Sequence, residues 1–298
     1  MVNININICY NFFFKKLKKI YYKKEINKLF FILFCKILKC NKEKLYFYIL
    51  NNKKINFKEY VYFLKVIKKL KYKYPIQYII KYTYFQGLKI NLNKNIFIPR
   101  QETEELVYLI KKENKKQKKK INILDICSGS GCISIYLKKK IKNSNIYCID
   151  NKKKIILKSK ENFLKNKIYK DVFFLRFNIL NNKKKYKNFL KKLPDFDLIV
   201  SNPPYISYKK YYKFKKTNIL KEPKKSIFVF NKDEIIFYKK ILLNFYKKKL
   251  KKNGVLYFEI SNNIKKKIFF FLKKKIKDKI KIIKDINNNY RILKIEKI

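Results

Sequence analysis

The chain has 298 residues, 47% of them apolar, which is enough to bury a sizeable domain plus a smaller one and excludes a disordered chain. It carries 78 Lys and Arg against 20 Asp and Glu, a formal net charge of +58, with no His, no Trp and only 4 Gly. The six cysteines (Cys9, Cys35, Cys40, Cys127, Cys132 and Cys148) form no C-x-x-C pair, which argues against a zinc site or a disulfide framework and for reduced thiols.

The charge has two readings. Taken at face value it suits non-specific contact with RNA or the ribosome. The over-used residues (Lys, Asn, Ile, Phe, Tyr) are also those with A/T-rich codons, and the lysines are spread along the whole chain. We read the excess as base bias, with lysine stems lying on apolar surface and their heads in water. The longest apolar runs, such as Leu29 to Cys35 and Ile268 to Leu272, are too short to span a bilayer. The N-terminus lacks a basic n-region and cleavage site, so no membrane partner and a cytoplasmic location are expected.

From about residue 8 to 70, apolar residues recur at helical spacing (Leu29, Ile32, Leu33 and Ile37, then Tyr60, Phe63, Val66 and Ile67), with no Gly or Pro before Pro75. That pattern predicts a small helical domain. The stretch from Pro75 to Asn95 alternates aromatic and polar residues around Gly87 and predicts a hairpin linker. Next, acids at Glu102, Glu104 and Glu105 open a helix whose apolar face is Leu106, Val107, Leu109 and Ile110 and whose end carries lysines, an arrangement that suits the helix dipole.

A β-branched strand from Ile121 then runs through Asp125 into Cys127-Ser128-Gly129-Ser130-Gly131, and a helix is expected from Cys132. In a chain so poor in glycine, two glycines two residues apart point to a geometric demand. Such a loop brings backbone N–H groups close to a ligand at a helix N-terminus. Asp150 ends the next strand about 20 residues later, where a carboxylate accepts from ribose hydroxyls. The third glycine of a dinucleotide fingerprint would fall at Ser134, which argues against NAD.

A helix over 152–166 leads to a strand over 172–177, then Asn178-Ile179, a lysine-rich loop, and the apolar run from Phe196 to Val200. This last strand ends in Ser201-Asn202-Pro203-Pro204-Tyr205-Ile206. Two prolines make a rigid, extended loop at the carboxyl end of a strand, where open α/β sheets place their ligands. The loop offers a carboxamide on Asn202, a carbonyl on Pro203 and an aromatic face on Tyr205. Together these suit a flat amide or amino group. Beyond come Glu222-Pro223, a helix over 233–249, a strand over 255–260, another helix, and a closing hairpin of Ile280 to Asp285 and Tyr290 to Lys297. Alternating strands and helices predict an α/β fold with a mostly parallel, doubly wound sheet.

The Asp-x-x-x-Gly-x-Gly loop, the strand-end Asp150 and the Asn-Pro-Pro-Tyr motif resemble a class I S-adenosylmethionine-dependent methyltransferase. More closely, residues 75–298 resemble the PrmC/HemK-type peptide chain release factor N5-glutamine methyltransferases. The likeness rests on Pro75-Ile76-Gln77-Tyr78-Ile79, Phe85-x-Gly87-Leu88, Ile98-Pro99-Arg100-x-Glu102-Thr103-Glu104, the Gly loop, Ser201 to Ile206, Glu222-Pro223, Phe258-Glu259-Ile260 and Tyr290-Arg291. The Pro-Arg-x-Glu-Thr-Glu string discriminates best, because nucleic-acid methyltransferases with Asn-Pro-Pro-Tyr generally lack it. The sequence departs from the family where Cys127 and Lys81 stand at glycine positions and where a Gly pair near Phe230-Asn231 is missing.

The resemblance implies a seven-stranded Rossmann-like sheet over residues 96–298, a linker over 75–95 and a substrate-engaging helical domain over 1–74. It implies S-adenosyl-L-methionine as cofactor, held by Asp125, Cys127, Ser128, Gly129, Ser130, Gly131, Asp150, Asn178, Ile179 and Asn202, and no metal. It implies the glutamine of a release factor's Gly-Gly-Gln loop as substrate, with Asn202 and Pro203 accepting from its amide, Tyr205 stacking on it, and Pro204 shaping the site. The alternatives are a nucleic-acid methyltransferase acting on adenine-N6 or guanine-N2 of a flipped base, and a non-catalytic basic RNA- or ribosome-binding protein.

Overall fold

Asparagine opens three of the four N-terminal helices in the computed structural model, which describes residues 4–115, 117–214 and 217–298. Asn5 accepts from the Ile8 N–H at the start of α1 (Ile6–Leu17). After α2 (Lys23–Ile37), Asn41 does the same for α3 (Lys42–Leu50), and Asn56 forms a reciprocal capping box with Glu59 at α4 (Phe57–Lys71). The four helices bury Phe13, Phe30, Phe34 and Phe63 at their centre. Phe30 stacks on Phe34 at 4.3 Å, and Phe34 meets Phe63 edge-on at 5.6 Å. A two-residue antiparallel ladder, Ile4–Asn5 with Lys54–Ile55, was not legible from periodicity.

The chain divides into two compact units between Tyr82 and Thr83, the short segment ending at Lys221 belonging with the first. The boundary falls inside the 75–95 stretch, which is not hairpin throughout. It starts with a helical turn, α5 (Ile76–Ile80), before the paired strands Tyr82–Phe85 and Leu88–Asn91. Gln86 and Gly87 between them both take positive φ, 48° and 75°, the signature of a tight two-residue turn.

In the second unit, α6 (Gln101–Glu113) precedes the sheet strands β1 (Ile121–Ile126), β2 (Ser144–Asp150), β3 (Val172–Arg176), β4 (Phe196–Ser201), β5 (Leu250–Glu259), β6 (Lys279–Lys284) and β7 (Tyr290–Glu296). Their spatial order is β6-β7-β5-β4-β1-β2-β3. All neighbours pair in parallel except β7, which lies antiparallel to both β5 and β6. The closing hairpin therefore caps one edge, with its later strand wedged inside the earlier one. Helices α7 (Cys132–Lys140) and α8 (Lys153–Lys165) are the crossovers from β1 to β2 and from β2 to β3.

Two expectations change. The lysine-rich loop after β3 is a helix, α9 (Lys183–Lys191), started by Asn182, whose side chain accepts from Lys185 N–H. Tyr186, Phe189 and Leu190 form its narrow apolar stripe, and the lysines are its solvent face. The helix expected over 233–249 starts later, at Ile236, and carries a π turn at Leu242–Tyr246; its pieces together are α10.

Registers gather the chemistry. Ile126 at the end of β1 lies beside Ser201 of β4 and Ile149 of β2, and Ser201 lies beside Phe258 of β5. The loops after Ile126, Asp150, Ser201 and Glu259 thus leave the sheet along one edge, at the point where strand order reverses. Open α/β sheets hold their ligands there.

Candidate active site

The loop after β1 is shaped by three left-handed residues: Cys127 at φ 64°, Gly129 at 56° and Gly131 at 80°. Main-chain bonds fix it, from Ser128 N–H to the Ile149 carbonyl at 3.0 Å and from Gly131 N–H to the Ser128 carbonyl at 2.9 Å. The two glycines answer different needs. A Cβ on Gly131 would stand 2.4 Å from Ser159 Oγ and 3.1 Å from the Phe163 ring, so α7 meets α8 too closely for a side chain. A Cβ on Gly129 would meet only the Cys127 carbonyl, at 3.9 Å, so the space above that residue is open. Cys127 takes its left-handed conformation without glycine's freedom, at a cost of about 1–2 kcal/mol. Burial pushes its thiol well above the ordinary cysteine value, so it stays protonated.

Asp150 reaches back to this loop. Its Oδ2 accepts from Gly129 N–H at 3.1 Å and its Oδ1 from Asn151 N–H at 2.7 Å. Burial raises its pKa, and the N–H groups of Gly129 and Asn151 pull it back. Asp125 lies beneath the loop, fully buried, with Ser134 Oγ donating to its Oδ2 at 2.6 Å. Burial lifts its carboxyl to about 7. From the next helix, the buried side chain of Asn162 donates to the Ser130 carbonyl at 2.9 Å and to the Asn91 carbonyl at 3.1 Å, tying the loop to the hairpin strand.

A cleft of about 920 Å³, its open mouth included, runs over these groups. Of the residues the sequence singles out, Cys127, Ser128, Gly129, Ser130, Asp150, Asn178, Ile179, Asn202 and Pro204 line it. Phe97, Ile155, Phe177 and Phe237 add apolar wall that the sequence did not announce, beside Pro99 of the Pro-Arg-x-Glu-Thr-Glu string. Asp125, Gly131, Pro203 and Tyr205 do not line it. Asp125 is turned to Ser134, Gly131 serves helix packing, and Pro203 is buried in the loop. Tyr205 packs against the core, with its hydroxyl 3.5 Å from Glu259 Oε1, and so braces the loop.

The Asn-Pro-Pro-Tyr loop depends on side chains from distant strands. The Asn202 carboxamide donates from Nδ2 to Glu259 Oε2 at 2.8 Å and to Thr103 Oγ1 at 3.1 Å. Thr103 Oγ1 in turn donates to Glu259 Oε2 at 2.6 Å. Both donors of the amide are thereby used, which leaves Oδ1 as its polar handle toward the cleft. Glu259 is 2% exposed, and burial raises its carboxyl to about 7 against the pull of Thr103, Arg291 and Asn202.

Six residues of the string from Ile98 to Glu105 have identifiable structural roles. Arg100 pairs with the buried Glu222, whose Oε2 also accepts from Ile98 N–H at 3.2 Å, and this holds Pro99 against the cleft. Thr103 reaches Glu259, Glu104 accepts from the Gln86 main chain and side chain at 3.2 and 3.3 Å, and Glu105 accepts from Ile286 N–H at 3.1 Å. Arg291 is held by Asp285 at 3.1 Å.

The strand order, the Gly loop beneath the cleft and the Asn-Pro-Pro-Tyr loop at its rim are those of a class I methyltransferase. Residues 103–228 match the family described as "Methyltransferase small domain". A 16S rRNA N2 G1207 methyltransferase from T. thermophilus shares the fold, with a TM-score of 0.52 at 15% identity over 73% of this chain and 50% of that one. A release factor glutamine methyltransferase from Flavobacterium psychrophilum is 38% identical over 232 residues, 77% of this chain and 78% of its own. One from Thermodesulfovibrio yellowstonii is 31% identical over 264 residues, 88% and 90% of the two chains. The chain belongs to the release factor glutamine methyltransferase family.

Proposed function

We propose that this protein transfers a methyl group from S-adenosylmethionine to the side-chain amide nitrogen of the Gly-Gly-Gln glutamine in peptide chain release factors. One observation carries the reading: Asn202, at the rim of the cleft, has both amide donors tied behind it and its carbonyl oxygen left for a substrate N–H.

The residues present fit the cofactor. Ser128 Oγ is buried, lines the cleft and has no partner among the described residues, and the space above Gly129 is open. Asp150 keeps acceptor capacity beyond its two backbone bonds and would hold a ribose diol. Asn178 and Ile179, with the apolar walls of Phe177 and Ile155, would flank an adenine. When bound, the cofactor supplies an electrophilic methyl on a cationic sulfonium.

A glutamine amide nitrogen is a poor nucleophile because its lone pair is delocalised. Accepting one of its N–H bonds on Asn202 Oδ1 would orient it and raise electron density on nitrogen. The Asn202 loop would hold the amide where the bound cofactor would supply its methyl and leave as a neutral thioether, the displaced amide proton passing to water. Tyr205 and the two prolines hold the loop still during this step. Among the described residues no helix is long and apolar enough to cross a membrane; release factors as substrate would place the enzyme in the cytoplasm.

The test is transfer of labelled methyl to a release factor, with RNA and DNA offered in parallel. Label on the Gly-Gly-Gln glutamine is expected, and its loss when that glutamine is replaced. Label in nucleic acid alone would transfer the assignment to a base methyltransferase, the reading the +58 charge favours.

A further inference from the structure

The methyl-transfer reading leaves a buried acid without a task. Glu259 at the end of β5 does not line the cleft, yet the Asn202 amide and the Thr103 hydroxyl both converge on its Oε2, at 2.8 and 2.6 Å. An ionised carboxylate only accepts hydrogen bonds, whereas a protonated one also donates. The distinction decides which end of the Asn202 amide faces the substrate. Against an ionised Glu259, the NH2 group must turn inward and the oxygen outward. Against a protonated Glu259, the flipped amide is equally satisfied, with Oδ1 accepting the acid proton and NH2 pointing into the cleft. In that orientation it would meet a substrate N–H donor with a donor.

We propose that Glu259, with Thr103, is the positioning residue of the transferase: its ionised carboxylate sets the Asn202 amide with oxygen toward the substrate, and its protonation releases that setting. The proposal rests on the functional reading above. The surroundings permit the switch at accessible pH. Arg291 from β7 and the Thr103 and Asn202 donors favour the charged form; burial and Glu102 on α6 oppose it. Tyr205 and Cys132 also face the group, and both thiol and phenol stay neutral because burial raises them. Tyr238 on α10 donates to the Glu259 backbone carbonyl at 2.9 Å and so leaves the carboxylate to the other partners. With the acid at about 7, the correct amide orientation is secured above neutrality and lost progressively below it.

Two variants and two readouts test this. Glu259→Gln cannot titrate and, because its amide donates as well as accepts, stands in for the protonated acid at every pH. Its kcat at pH 8 should fall to about the level wild type shows at pH 5.5, and the acid limb that wild-type kcat shows between pH 8 and 5.5 should vanish. Glu259→Leu removes the acceptor, and kcat should fall by about a hundred-fold at every pH, while the KM for S-adenosylmethionine stays within about three-fold. Glu259→Leu at near wild-type kcat, or an acid limb that persists in Glu259→Gln, would overturn the proposal. The second readout needs no substrate: the side-chain amide of Asn202, assigned by NMR from its disappearance in Asn202→Asp. In wild type its two protons should be shifted and slow to exchange at pH 8 and move toward free-amide values below pH 6, and in Glu259→Gln they should not move with pH. An Asn202 amide indifferent to pH in wild type rejects the switch. Failure to methylate a release factor with the NMR titration present would instead reject the substrate assignment.

Discussion

Two neighbouring loops at the same edge of the sheet are held by opposite means. The 127–131 loop is a main-chain construction: three positive φ values, one internal main-chain bond and a second to Ile149 of β2, and one N–H handed to Asp150. The 202–205 loop has its backbone stiffened by two prolines and its working side chain aimed by Thr103 and Glu259. The first loop should therefore tolerate changes of side chain that keep its φ angles. The second should fail when a side chain changes even though its backbone stays put.

The largest effect expected falls on the second loop. Asn202→Ala removes the carbonyl that would accept from the substrate, and methyl transfer should drop at least about a hundred-fold, the usual worth of one positioned polar group. Cofactor affinity, measured by calorimetry, should change less than about three-fold, because the Gly loop and Asp150 are untouched. Asn202→Asp should fare no better than Ala. An aspartate cannot donate to Glu259 or Thr103, and it sets a second carboxylate against a buried one. Turnover of the folded Ala variant at near wild-type rate would reduce the loop to a rigid turn and end the comparison.

A smaller effect, in the other property, is expected at Asp150. Asp150→Ala removes the acceptor of Gly129 N–H together with the groups offered to ribose, charged hydrogen bonds worth roughly 1.5–3 kcal/mol each. Cofactor affinity should weaken by about ten-fold or more, while kcat at saturating cofactor stays within a few-fold. A loss in kcat at saturation with affinity preserved would mean that Asp150 serves the reaction rather than the cofactor.

How much of this was legible in the chain follows the same division. The β-branched β1, the Gly pair and Asn-Pro-Pro-Tyr are local signals, and local signals survive a skewed composition. Helix α9 was hidden because its stripe of Tyr186, Phe189 and Leu190 is narrow and every gap is filled by lysine or asparagine. The Glu259 carboxylate was quoted as part of a motif but given no task, since its partners stand 57 and 156 residues away in sequence. The side on which the Tyr205 ring lies was not legible, because loop chemistry does not say which way a ring turns. The left-handed helix ends at Lys39, Lys73 and Lys81 were unreadable for a compositional reason: they carry lysine and not glycine, the usual marker.

Cys127 lies where the two modes of support meet, and Cys127→Gly is the finest probe of the first. Four contributions compete. Glycine at φ 64° relieves about 1–2 kcal/mol of left-handed strain. It also gives the unfolded chain more freedom, which costs about 0.5–1 kcal/mol on folding. The thiol packs against the core, and losing its burial offsets a further fraction of the gain. Finally, Cys127 lines the cleft, so its removal widens the site slightly. The first contribution is nearly cancelled by the next two, and unfolding free energy should change by less than about 1 kcal/mol. If the loop is already formed by its main-chain bonds, relieving strain gives the cofactor nothing extra, and affinity should stay within about three-fold. Cys127→Val keeps a side chain of similar size but places a β-branched residue in the left-handed region, and should weaken both stability and affinity. A Cys127→Gly variant that bound the cofactor ten-fold more tightly would mean that the wild-type loop reaches its left-handed form only on binding. The main-chain loop would then be as dependent on its side chain as the Asn202 loop is, and the distinction between them would not hold.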